Sequence, residues 1–157
     1  MEPAFLSSGQ GAVSFLLYQD FMPKRLVVTD YDLSQTALAK AHFKDKLGDV
    51  PQGVEIWTAD ALNLRFADQE FDVVLASHVL HHVEKYQWNF KNIPTALHEV
   101  GRVLKISGLF IYEEIFNKSR IQEYLVELGF DKVFEKKNWP GDCFYIYRKR
   151  AKDPKPL

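Results

Sequence analysis

Three acidic residues and a glycine-bearing turn stand where a ligand would meet the ends of successive strands. The turn is Ser7-Ser-Gly-Gln-Gly11, with glycines at Gly9 and Gly11. Asp30 and Asp32 follow one apolar run, Asp60 follows a second, and Ser77 closes a third. Glycines in such a turn let a ligand approach the backbone closely. Carboxylates at the next strand end suit the two hydroxyls of a ribose. An acid one strand further on can accept from an adenine amino group. The ordered set therefore points to a cofactor that contains a nucleoside.

The histidines invite a metal reading, and the spacing argues against it. His81 and His82 are adjacent, and neighbours on a helix do not face the same way. His78 and His82 share a helical face, but no Cys or Glu cluster accompanies them at the spacing that zinc sites use. No metal is expected. His81 and His82 remain candidates for a base beside the pocket, against the plainer reading of packed histidines. Asp32 likewise has a plainer reading as a helix cap.

The elements that would position these groups alternate between β-rich runs and helical patterns, which is the rhythm of an α/β fold with a largely parallel sheet. Strands are expected at Pro3–Leu6, Leu26–Thr29, Val54–Thr58, Phe71–Ser77 and Leu109–Tyr112. A helix capped by Ser34 runs on to Gly48. A second spans Pro94–Leu104, with Ile93, Leu97, Val100 and Leu104 on one face. A third carries Ile121, Tyr124, Leu125 and Leu128 and stops at Gly129. Phe144–Tyr147 reads as a last strand, with Lys132–Lys136 as its hairpin partner.

Composition bounds the class. The chain has 157 residues, 46% of them hydrophobic and 26% charged, which fits one globular domain. We read residues 1–148 as that domain and 149–157 as a flexible basic tail. With 20 Lys plus Arg against 21 Asp plus Glu, nothing favours a nucleic-acid binder held by bulk charge. The single Cys143 fits a reducing compartment. The run Ala12–Tyr18 is too short to span a bilayer, which takes about 20 apolar residues. A soluble, cytoplasmic protein is expected.

Taken together, Ser7–Gly11, Val27–Ser34, Trp57–Ala61, Phe71–His82 and the helix Ala96–Gly108 resemble the class I S-adenosylmethionine-dependent methyltransferases. Within that class they look most like the small-molecule branch that contains quinone-biosynthesis enzymes. The resemblance runs from Phe5 to Arg148. It implies a Rossmann-like fold with helices on both faces and an antiparallel C-terminal hairpin, S-adenosylmethionine as cofactor, and methyl transfer to a small molecule. It also implies roles. Ser7, Gly9 and Gly11 would cradle the methionine and ribose part. Asp32, or Asp30, would bind the ribose hydroxyls beside Leu33. Asp60 would take the adenine amino group with Ala61 and Leu62 against the ring, and Ser77 would lie near the methyl group.

Several departures from the family pattern stand out. Phe5 occupies the place of an acid that helps hold the methionine end, and Ser7 occupies that of a glycine. Ser107 likewise stands where a glycine is usual. The helices that family members carry before the first strand are not in this sequence, so an uncovered face, a homodimer or a partner protein is expected on that side. A non-catalytic methyltransferase-like binding module is the alternative. A nicotinamide-dependent dehydrogenase ranks lower, because the turn lacks a third glycine at the dinucleotide spacing.

Overall fold

β-Branched and aromatic runs become strands here, and the amphipathic runs between them become helices. A computed structural model describes residues 3–6 (backbone), 11–84, 90–137 and 143–151. In chain order the elements are β1 (Pro3–Leu6), α1 (Ala12–Phe21), β2 (Leu26–Asp30), α2 (Leu33–Leu47), β3 (Val54–Thr58) and β4 (Phe71–Ser77). After these come α3 (Ile93–Val103), β5 (Leu104–Glu114), α4 (Lys118–Glu127), β6 (Phe130–Lys137) and β7 (Cys143–Lys149). One seven-stranded sheet has the order β3-β2-β1-β4-β5-β7-β6. The first five strands pair in parallel, and β7 and β6 complete the sheet antiparallel.

That order fixes where a ligand belongs. The chain steps outward from β1 to β2 and β3, then crosses back to place β4 on the other side of β1. A crevice opens beyond the carboxyl ends at such a reversal. Both faces of the sheet are covered, as parallel strands require. Consecutive residues of a strand point to opposite faces. Val27 accordingly joins a core with Leu97 and Val100 of α3 and Ile121 and Leu125 of α4. Its neighbours Leu26 and Val28 join Ala39 and Phe43 of α2, with Phe15 and Tyr18 of α1 packed alongside.

Several boundaries differ from the sequence expectation, each for a local reason. Asp32, not Ser34, caps α2: its Oδ1 accepts the Ser34 N–H at 2.8 Å, and its carbonyl accepts from Gln35 and Thr36. Residues 78–84 form turns, not a helix, so the helical spacing of His78 and His82 does not apply. β5 starts directly at the end of α3, five residues earlier than its apolar run suggests, and its register against β4 shifts between Phe71 and Val73. Lys149 and Arg150 belong to the folded domain, beyond the boundary placed at 148. Lys149 Nζ donates to the Gly101 and Leu104 carbonyls, both at 2.7 Å, and the Arg150 N–H donates to the Gly129 carbonyl. Residues 152–157 of the expected tail lie outside the described residues.

Ser107 sits in the irregular start of β5 with φ +64°, a conformation in which a Cβ is strained by about 1–2 kcal/mol. Replacing it with the glycine usual in this position relieves that strain. Glycine's larger unfolded-state entropy takes back part of the gain. Ser107→Gly is expected to stabilise the fold by about 0.5–1 kcal/mol, read as a higher denaturant midpoint at unchanged slope.

Candidate active site

The carboxyl ends of β2 and β3 carry the acids, and local hydrogen bonding sets each one. Asp30 is 7% exposed, and its Oδ1 accepts the Asp32 N–H at 3.0 Å, which turns the chain sharply out of β2. Asp32 then stands in the open at the start of α2, one oxygen used by the cap. Across from it, Asp60 Oδ1 accepts the Leu62 N–H at 2.9 Å. That bond curls Asp60, Ala61 and Leu62 into a turn. A cleft of about 680 Å³ lies between these walls, within the size range of ligand sites. Thr29, Asp30, Tyr31, Asp32 and Gln35 line one side, Ala59, Asp60, Ala61 and Leu62 another, and Val79, His82 and Val83 the third.

The segment that follows the Asp60–Leu62 turn is held by a pair that sequence reasoning did not single out. Glu99 and Arg102 lie on α3, one turn apart, and Arg102 Nε bonds Glu99 Oε1 at 2.8 Å. Glu99 Oε2 accepts the Leu64 N–H, while Arg102 donates to the Leu64 and Phe66 carbonyls, both at 2.7 Å. The guanidinium beside it holds the Glu99 carboxyl below the usual carboxylate range. The sequence signal is a Glu-x-x-Arg spacing, which sets both side chains on one helix face.

Of the remaining residues expected at the site, Gly11 serves packing. It caps α1 with φ +80° and does not line the cleft. A Cβ placed on it would meet the Ala39 Cβ at 2.8 Å and Cα at 3.0 Å. The glycine therefore lets α1 approach α2. Gly11→Ala is expected to cost about 2–4 kcal/mol, since the conformation is strained and the neighbour includes backbone. Thermal unfolding of the variant measures it. Leu33 is 74% exposed and is not among the residues lining the cleft. Ser77 ends β4, where its Oγ donates to Glu113 Oε2 at 3.2 Å. Ser7 and Gly9 lie outside the described residues.

Beside the cleft, the turns after β4 are locked to the end of β5. Glu114 is fully buried, and its carboxyl group accepts the His81 N–H (3.1 Å) and the Ile115 N–H (2.9 Å). His81 Nδ1 lies 2.8 Å from Glu114 Oε1, which favours the proton on Nδ1. The His81 and His82 rings lie against each other with centroids 4.0 Å apart, an arrangement that a helix would not have given. Burial of part of the ring, and then the neighbouring His81, lower the His82 pKa below its ordinary value. Among the described residues no group of three or more His, Cys, Asp or Glu is arranged to hold a metal ion. Among them also, no helix is long and apolar enough to cross a membrane.

The chemistry of the cleft fits a nucleoside cofactor. Carboxyl acceptors from the ends of two adjacent strands line it together with the apolar residues Ala61, Leu62, Val79 and Val83. Comparison with known proteins then gives the class. The family described as "Methyltransferase domain" matches residues 6–112. The chain belongs to the methyltransferase-domain family, and it is an S-adenosylmethionine-dependent methyltransferase.

Solved structures agree on the fold. A methyltransferase from Haloferax volcanii, in complex with the Trm112 methyltransferase activator, superposes with a TM-score of 0.79 at 12% identity, over 96% of this chain and 83% of that one. The [4+2]-cyclase SpnF gives 0.78 at 14% identity, over 96% and 75%. An S-adenosylmethionine-dependent methyltransferase from Methanosarcina mazei gives 0.76 at 17% identity, over 96% and 93%. No curated protein matches the chain by sequence.

Proposed function

We propose that S-adenosylmethionine binds in the cleft at the ends of β2, β3 and β4, and that its methyl group passes to a small molecule. In this reading Asp32 takes the ribose hydroxyls, with Asp30 shaping the turn that presents it. Asp60 faces the adenine amino group, with Ala61 and Leu62 against the ring. Ser77 and His82 stand toward the methyl group and its acceptor. The carrying observation is that Asp32 and the Asp60–Leu62 turn, which follow the adjacent strands β2 and β3, line one cleft beyond the carboxyl ends of the sheet.

When bound, the cofactor supplies an electrophilic methyl carbon on a sulfonium. What remains for the protein is to hold donor and acceptor in line and to exclude water, which can lower a barrier by several kcal/mol. The small-molecule acceptor follows the quinone-biosynthesis branch that the motifs resemble. Calorimetry on the purified chain tests the reading. One-to-one binding of S-adenosylmethionine and S-adenosylhomocysteine, with none of NAD, is the expected result. Binding of NAD alone would overturn it.

A further inference from the structure

The cleft is rich in acids on two walls, and on the third it presents an imidazole. Asp30, Asp32 and Asp60 favour a positive charge between them, and S-adenosylmethionine brings one on its sulfonium. His82 can hold a second. Two unit charges sharing a cleft of this size repel by an amount equal to about a 5- to 30-fold change in affinity, at an effective dielectric of about 20–40. The two therefore disfavour one another, and a bound sulfonium pushes the imidazole further toward its neutral form.

We propose that His82 receives the proton of the methyl acceptor, so that the positive charge of the cleft passes from the sulfonium to the imidazole. The inference rests on the cofactor reading above. It names the acceptor's class as a nucleophile that must lose a proton, an O–H or N–H group. A lone pair of the acceptor forms the bond to the methyl carbon. The carbon–sulfur bond breaks with its electron pair left on sulfur as a neutral thioether. The acceptor's proton goes to the imidazole of His82. Charge in the cleft is unchanged from start to finish, and the surrounding carboxyl groups need not reorganise.

The architecture holds the imidazole ready. His82 lines the cleft, and its ring rests on His81, whose Nδ1 is fixed by the buried Glu114. Glu114 acts through His81 and is a positioning residue. The charged and titratable groups that face His82 are His81 and His78 from its own turn, Glu114 from the end of β5 and Asp30 from the end of β2. Its depressed pKa leaves it neutral near pH 7, the state a proton acceptor needs.

Binding measurements test this without the acceptor. S-adenosylmethionine and S-adenosylhomocysteine differ by the sulfonium charge, so they are titrated by calorimetry at pH 7 and pH 5 into the parent and His82→Gln. The parent is expected to bind S-adenosylmethionine about 2- to 10-fold more weakly at pH 5, where His82 is partly protonated, while S-adenosylhomocysteine changes less than about twofold. In His82→Gln the two ligands keep a pH-independent ratio. Imidazole resonances give a second reading: the His82 pKa falls with S-adenosylmethionine bound and not with S-adenosylhomocysteine. Equal pH dependence of the two ligands in the parent, or a ratio that still varies with pH in His82→Gln, overturns the proposal. Failure of both ligands to bind at either pH overturns the cofactor reading instead, and this inference with it.

Discussion

Glu114→Ala is expected to cost about 3–5 kcal/mol of unfolding free energy, because it removes the buried acceptor from several donors at once. The His81 and Ile115 N–H groups and His81 Nδ1 all point at that carboxyl group, which has no exposure to water. Leaving one such donor unsatisfied costs about 1–3 kcal/mol. The loss concentrates in the turns after β4, so hydrogen exchange should speed up there before it does in the sheet. Glu114→Gln retains an acceptor and should lose only part of this. Urea denaturation of parent and both variants measures the order. A Glu114→Ala variant as stable as the parent would mean that these turns stand without their anchor.

Asp32→Asn should weaken cofactor binding about 10- to 150-fold while leaving stability almost unchanged. A hydrogen bond to a charged group is worth about 1.5–3 kcal/mol, which converts to that range. Asn caps a helix about as well as Asp, so the bond from Ser34 to position 32 survives the change. Asp32→Ala removes both the charge and the cap and should add about 0.5–2 kcal/mol of destabilisation. The pair of variants separates the binding role from the structural one. If Asp32→Asn binds as the parent does and Asp30→Asn does not, the ribose contact belongs two residues earlier.

The fold was legible because its strands are short, apolar and interrupted by turns, and because five motifs stand in one order. Val54–Thr58 and Phe71–Ser77 match their expected bounds. Where the structure went beyond the reading, a hydrogen bond or a packing contact had decided between local patterns. Ser34 and Asp32 both read as caps, and the sharp turn that Asp30 imposes gives the role to Asp32. Gly11 reads as ligand-binding from its company, and what the sequence did not show is that its missing side chain also lets α1 approach α2. Glu114 carries no sequence signal of burial, since an acid at a strand end is ordinarily solvated. Its partner His81 meets it only after the chain has crossed from β4 to β5. The Glu99–Arg102 pair was readable as a helical pair, but not as the clamp on a loop 35 residues away in sequence.

The central claim is that the cofactor occupies the cleft between Asp32 and the Asp60–Leu62 turn. Amide chemical-shift mapping with S-adenosylhomocysteine on the uniformly labelled chain tests it most directly. Shifts are expected at Tyr31, Asp32, Ala61, Leu62, His82 and Val83, the residues that wall the cleft. Perturbation confined to the opposite edge of the sheet, along β6 (Phe130–Lys137), with those six amides unmoved, would contradict it.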